Sequence, residues 1–287
     1  MGDARIILAG LVPMLVLTIL VYRERRNRKA RGERPPVQEK LLRLPGHTLS
    51  RQIEELWEGF IVFAIAAGVL SILLAIFLSQ TAGKETTTGL LIFVLVFGLG
   101  AGVCTVMAWR KIIALRPLRL GLLGEQSVAE QLQSLLADGY RVFHDVPSDG
   151  KWNIDHVVVG PAGVFAIETK SRTKRPGKKG ERDHEAVFDG KAIHFPWGYD
   201  TDALEQARRN ARWLAGTLSK ATGERVTAQP IVALPGWLVT LKANSDVKVL
   251  SGKQVPGFVA KEPARLPGKV IQQIAYQLDQ RCRDVEF

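Results

Sequence analysis

The chain has 287 residues, 46% hydrophobic and 23% charged, with 39 Lys and Arg against 28 Asp and Glu. That apolar content excludes wholesale disorder, and two distant cysteines, Cys104 and Cys282, exclude a disulfide framework or a CxxC zinc site. The net charge of +11 is uneven: residues 1–119 hold 16 basic and 8 acidic side chains, residues 120–287 hold 23 and 20, so the basic excess of the second part is too small for a nucleic-acid footprint.

Three apolar runs come first. Residues 6–22 are interrupted by Pro13 and Thr18, while residues 60–79 and 89–109 carry no charge. A hydrocarbon core of about 30 Å needs about 20 helical residues, so each run is expected to cross a membrane. The first is followed by Arg23, Arg25, Arg26, Arg28, Lys29, Arg31 and Arg34, with no small-residue cleavage site, which favours an anchor over a secretory signal. The 23–59 connection holds ten Lys and Arg, the 80–88 connection only Lys84, and the third run is followed by Arg110, Lys111, Arg116 and Arg119. The positive-inside rule then places the amino terminus outside and everything after Trp109 in the cytoplasm of a multi-pass plasma-membrane protein. Gly98 and Gly102 form a GxxxG spacing that permits close helix contact. Residues 31–49 read as a polar connector and Leu49–Gly59 as a short amphipathic helix.

The soluble part alternates periods. Val128, Leu132, Leu135 and Leu136 make a helical stripe over 124–138 that Gly139 stops, and Glu125 shares its apolar face. Strand-like runs follow at 140–146, 153–160 and 163–171, the last two joined by a Gly160-Pro161-Ala162-Gly163 turn. A hairpin is expected within 186–195, a helix over 201–218, strands at 228–234 and 247–251, and a closing helix over 265–281. The order is helix, three strands, helix, strand: an α/β arrangement around one mixed sheet, with a strand and helix added at the end.

Glu168 and Lys170, two apart on a strand, face one side. If Val159 pairs with Val164, Asp155 stands opposite Glu168, and two carboxylates there repel unless a cation such as Mg²⁺ lies between them. A bulge at Gly163 instead pairs His156 with Glu168 and removes the metal site. Spacing alone also allows Glu168 and Lys170 to be an edge ion pair and Asp155 a surface residue. Seven basic residues between Lys170 and Arg182 suit a phosphate backbone or a solvated loop, and Trp152 and Trp197 suit packing better than base stacking. GxxxxGK[ST], HExxH and GxSxG are all missing.

The segment GLLGEQSVAEQLQSLLADGYRVFHDV, then NIDHVVVGPAGVFAIETKSR and a later Gln in LEQARRN, resembles the nuclease-related domain, the NERD family, over about 121–235. The resemblance implies a restriction-endonuclease-like PD-(D/E)XK fold and a bacterial plasma membrane, while the apolar runs and flanking charges divide the chain into a membrane region of 1–119 and a cytoplasmic domain of 120–287. It implies metal-assisted phosphodiester hydrolysis on DNA or RNA with Mg²⁺ or Mn²⁺. Asp155 and Glu168 match the metal-binding acids, Lys170 the lysine of ExK, Glu125 the helix glutamate and Gln206 the polar residue of the next helix. Arg172, Lys174, Arg175, Lys178 and Lys179 are then expected to meet the nucleic acid. The other reading is a non-catalytic, membrane-tethered module that binds nucleic acid or a protein. No motif separates DNA from RNA or endo from exo cleavage, or specifies an oligomer.

Overall fold

β-Branched runs such as Val157-Val158-Val159 read as strands buried on both faces, and such strands need layers on either side. The computed structural model describes residues 39–81, 87–150, 152–175 and 183–285, with scattered positions between 16 and 31. The chain divides into two units, one of residues 1–39, 60–110 and 287, the other of 40–59 and 111–286.

Most described residues of the first unit lie in two long helices, α1 (His47–Thr81) and α2 (Thr87–Leu132). Both helices are long and apolar enough to cross a membrane, and their most apolar windows are 0% and 6% buried, unlike a helix in a protein core. The expected runs 60–79 and 89–109 lie inside them, whereas 6–22 falls largely outside the described residues. Phe77 stacks on Phe93 at 3.6 Å between ring centroids, and Phe93 on Phe97 at 4.1 Å. Gly98 lies near Leu74 and Gly100 near Leu70, and among the described residues no heavy atom outside the helix's own backbone lies within 4 Å of a Cβ placed on Gly102. The segment 49–59 is the opening of α1 and not a separate helix.

In the second unit, a short strand β1 (Leu41–Leu42) precedes α1, and the far end of α2 is the expected stripe. Val128, Leu132 and Leu135 are fully buried, but Leu136 is 53% exposed. The chain tightens into a 3₁₀ turn over Gln133–Asp138, so the 3.6-residue period that would have buried Leu136 is lost. Gly139, at φ +80, then closes the turn.

Strands β2 (Arg141–Pro147), β3 (Asn153–Gly160) and β4 (Gly163–Thr169) follow as an antiparallel meander. A small set comes next, β5 (Glu185–Phe188), β6 (Ile193–Phe195) and β7 (Gly198–Asp200), then α3 (Asp202–Thr222), β8 (Ala228–Leu234), β9 (Leu238–Leu241) and β10 (Lys248–Ser251). Helices α4 (Val255–Lys261) and α5 (Gly268–Cys282) and strand β11 (Arg283–Val285) complete it. The main sheet has the order β10-β8-β4-β3-β2, parallel at β10-β8 and β8-β4 and antiparallel elsewhere. One face, with Val157, Val159, Val164 and Ala166, packs on α3 and α5 residues such as Leu214, Leu218 and Ile274. The other, with Val158, Phe165 and Ile167, packs on Val128, Leu132 and Leu135 and on Val255 and Val259 of α4. The smaller sheet has the order β7-β6-β5-β9 and packs beside the amino end of α3.

The β3–β4 turn decides the register. Gly160 pairs with Gly163 and Val159 with Val164, leaving Pro161 and Ala162 as the turn. Gly160 also carries the ring of Tyr140: an added Cβ would stand 2.1 Å from its Cδ1 and 2.5 Å from its Cγ. That ring is buried and its hydroxyl donates to Val259 O, so it has no easy retreat. Gly160→Ala is expected to lower unfolding stability by about 1–3 kcal/mol, read from urea denaturation of the full chain. A wild-type midpoint would show that the ring yields freely.

Candidate active site

The β3–β4 ladder runs as far as His156 opposite Ile167, and one further step sets Asp155 opposite Glu168. Opposed residues share a face, here the one covered by α3. The bulged alternative, with His156 across from Glu168, does not occur. Where the ladder ends, the Asp155 carboxylate replaces the backbone: Thr169 N–H donates to Asp155 Oδ2 at 2.6 Å. Asp155 and Glu168 are both buried.

Lys170 N–H donates to Ala233 O, which carries the edge of β4 one residue further and aims the ammonium along the same face. Lys170 Nζ donates to Glu168 Oε1 and to Gln206 Oε1, both at 2.8 Å. The other Glu168 oxygen accepts from Asn210 Nδ2 at 2.9 Å. Gln206 and Asn210 lie four apart, one turn of α3, and so reach the same pair of residues. The amino end of α3 is fixed by Asp200, whose Oδ1 accepts from Ala203 N–H and whose Oδ2 is ion-paired with Arg172.

Glu125 approaches from α2. Gly124 next to it has no room for a side chain, since a Cβ there would meet Ser171 Oγ at 1.7 Å and Pro235 Cγ at 3.2 Å, and this lets the helix press against the end of β4. Glu125, Asp155, Glu168, Thr169, Lys170 and Ser171 line one cleft of about 390 Å³. Burial pushes the Glu125 carboxyl up to about 8, with help from the charges of Asp145 and Glu168. Asp155 is raised by burial and then by Glu168 and Glu125, and Glu168 is raised by burial against the pull of Lys170. Burial is thus the main cause at all three acids, and neighbouring carboxylates add to it at Glu125 and Asp155.

Among the described residues, no group of three or more His, Cys, Asp or Glu is placed to hold a metal ion. Asp155 and Glu168 are the pair of carboxylates that could hold a cation in this cleft. Mg²⁺ is commonly held by one or two carboxylates plus water and phosphate oxygens, so this donor set suits it. Of the basic residues, Arg172 and Arg175 line the cleft; Lys174 Nζ lies 5.9 Å from the Trp237 ring centre. Lys178 and Lys179 fall outside the described residues.

Residues 120–235 match the family model of NERD, the nuclease-related domain. No curated protein and no solved structure matches the chain. The NERD match begins within α2, five residues before Glu125, and ends at Pro235, so it contains Asp155, Glu168, Lys170, Gln206 and the whole cleft-lining part of β4. It leaves out β9, β10, α4 and α5, although α4 and α5 cover the two faces of the sheet.

The sequence reading passed over Asn210 and Asp145. Asn210 is a fully buried amide on the apolar face of α3, one turn beyond Gln206, and that position was its signal. Arg209 stacks over Trp152 at 5.1 Å and its charge acts on Glu168. Asp145 has φ +50, unusual for a residue with a side chain, and is fully buried. It accepts from Arg43 Nη1 at 2.9 Å, Thr48 Oγ1 at 2.7 Å and Asn153 Nδ2 at 2.7 Å, which ties the entry to α1 against β2 and β3.

Behind Asp155, the rings of His144 and His156 meet with their Nδ1 atoms 2.9 Å apart, so one donates and the other accepts. Burial lowers His144 to about 4, against about 6.5 in an unfolded chain. A depressed basic group contributes stability above its unfolded pKa and loses it as pH falls through the folded one. The His144 contribution to stability is therefore expected to drop by on the order of 3 kcal/mol between pH 6.5 and 4. His144→Asn should flatten that slope in denaturation titrations, and an unchanged slope would assign it elsewhere.

Proposed function

We propose that the chain is a membrane-anchored, divalent-metal-dependent nuclease that hydrolyses phosphodiester bonds of DNA or RNA at the cytoplasmic face. In this reading the mixed sheet with α3 and the end of α2 is a restriction-endonuclease-like core, residues 60–79 and 89–109 span a plasma membrane with residues 6–22, and residues 120–287 lie in the cytoplasm.

One observation carries the proposal. Among the described residues, five buried side-chain atoms lack a hydrogen-bond partner, and four belong to this site: Glu125 Oε2, Thr169 Oγ1, Ser171 Oγ and Asn210 Oδ1. Buried polar groups are nearly always satisfied, so such a concentration around mutually repelling carboxylates marks a place built to receive something polar and cationic. Asp155 and Glu168 would hold a divalent cation, which would supply positive charge toward the scissile phosphate and acidity for the attacking water. Lys170, fixed by Glu168 and Gln206, adds a positive charge beside the reacting phosphate. Asn210 orients Glu168 through its second oxygen. Arg172 and Arg175 extend the positive wall along which the nucleic-acid backbone lies.

The test is cleavage of nucleic acid by the full chain in detergent with Mg²⁺, Mn²⁺ or EDTA, beside Asp155→Asn. Turnover that ignores EDTA, or that survives the substitution, refutes the enzyme. Nucleic-acid or protein binding with no turnover in any arm would favour the non-catalytic module.

A further inference from the structure

We infer that the small sheet beside the acidic cleft is a stacking platform for unpaired bases, so that the substrate is single-stranded nucleic acid or an unpaired stretch of it; this rests on the nuclease reading above.

The acidic cleft has a neighbour of about 400 Å³, and the two share Arg172 and Trp197 in their linings. A strand leaving the carboxylates along Arg172 therefore enters the second hollow, whose floor is aromatic. Trp197 is held there by its neighbours: it stacks on Phe195 at 5.5 Å with the rings 15° apart and leans on Trp237 at 5.3 Å. Tyr199, on the edge strand β7, is 73% exposed and leaves a large aromatic surface in solvent.

The charges fit a phosphate backbone passing beside these rings. Lys174 and Arg175 lie over the Trp237 and Trp197 rings, each at 5.9 Å from the ring centre. An exposed ring such as Tyr199, set beside cations and a packed aromatic floor, is an arrangement that binds single strands, since every base has a π-face and stacking needs no sequence. Of the acids in the hollow, Asp200 is ion-paired with Arg172 and caps Ala203 N–H. Asp202 also lines the hollow and is exposed to solvent. A duplex keeps its base faces covered and gains nothing from the platform.

The experiment is fluorescence anisotropy of the full chain in detergent with EDTA, using labelled single-stranded DNA, single-stranded RNA and a duplex of the same sequence. Tyr199→Ala is expected to weaken single-strand binding about tenfold or more in at least one of the first two arms. Tyr199→Phe should bind like the wild type, and duplex binding should change less than twofold. An unchanged Tyr199→Ala, an equal loss on duplex, or no single-strand binding by the wild type overturns the platform. Without metal the readout is independent of turnover. A chain that binds single strands through Tyr199 yet never cleaves them would sink the enzyme and leave the platform standing.

Discussion

Asp155→Asn is expected to reduce Mg²⁺-dependent cleavage by about a thousandfold or more while the chain remains folded. The substitution is nearly isosteric, and its amide oxygen can still accept the Thr169 N–H that Asp155 Oδ2 holds at 2.6 Å. What disappears is one of the two negative charges that would hold a cation. The same removal relieves Glu168 and Glu125, both of which raise Asp155 by their charge. Metal-free Asp155→Asn should therefore melt at or above the wild-type temperature, and added Mg²⁺ should stabilise it less than it stabilises the wild type. Loss of cleavage together with a lower melting temperature would point to a damaged fold instead of a missing ligand. Undiminished cleavage would remove Asp155 from the chemistry.

The part of this site legible in the sequence is the part governed by local rules. A Gly-Pro-Ala-Gly turn between two apolar strands sets the pairing of Val159 with Val164, and arithmetic along the strands then carries Asp155 to Glu168. Lys170 and Gln206 were readable from the family pattern, but their meeting at 2.8 Å depends on how α3 crosses the sheet. The illegible parts depend on distant partners or on departures from ideal period. Asp145 is satisfied by Arg43 and Thr48, about a hundred residues away in sequence, and nothing in HDV signals a left-handed backbone. Leu136 left the core because the helix tightened beneath it. Strand β9 has four residues and two exposed leucines, too little for alternation to show. Helix α4 contains Pro256 and Gly257, which read as breakers, yet the proline sits in the first turn, where its missing N–H costs nothing. Continuous passage of α2 from the apolar run into the stripe of Val128 and Leu132 was hidden by Pro117, which the helix absorbs.

Glu125→Gln is expected to stabilise the metal-free chain at pH 8 by on the order of 3 kcal/mol and to leave it little changed at pH 5. The carboxyl is pushed up to about 8, first by burial and then by Asp145 and Glu168, while Lys170 and a backbone hydrogen bond at Gly46 pull the other way. An acid with a raised folded pKa contributes stability below its unfolded value of about 4.5. That contribution fades as pH rises through about 8, because the folded state must then carry a buried charge. The Glu125 contribution should thus slope downward from pH 5 to 8, so the difference in stability between the glutamine variant and the wild type should widen over that range. The comparison is clean because His144 acts on both chains alike. Urea denaturation of the full chain in EDTA, followed by tryptophan fluorescence at several pH values, reads the difference directly. Parallel curves would mean that Glu125 is already ionised in the folded cleft, and that burial and the charges of Asp145 and Glu168 do not hold its proton there. Non-additivity with Asp155→Asn provides the internal check: the two carboxyls raise each other's neighbourhood, so the double variant should gain less than the two single gains together. A strictly additive double variant would separate Glu125 from the pair that binds the cation and reduce it to a helix residue pinned by Gly124.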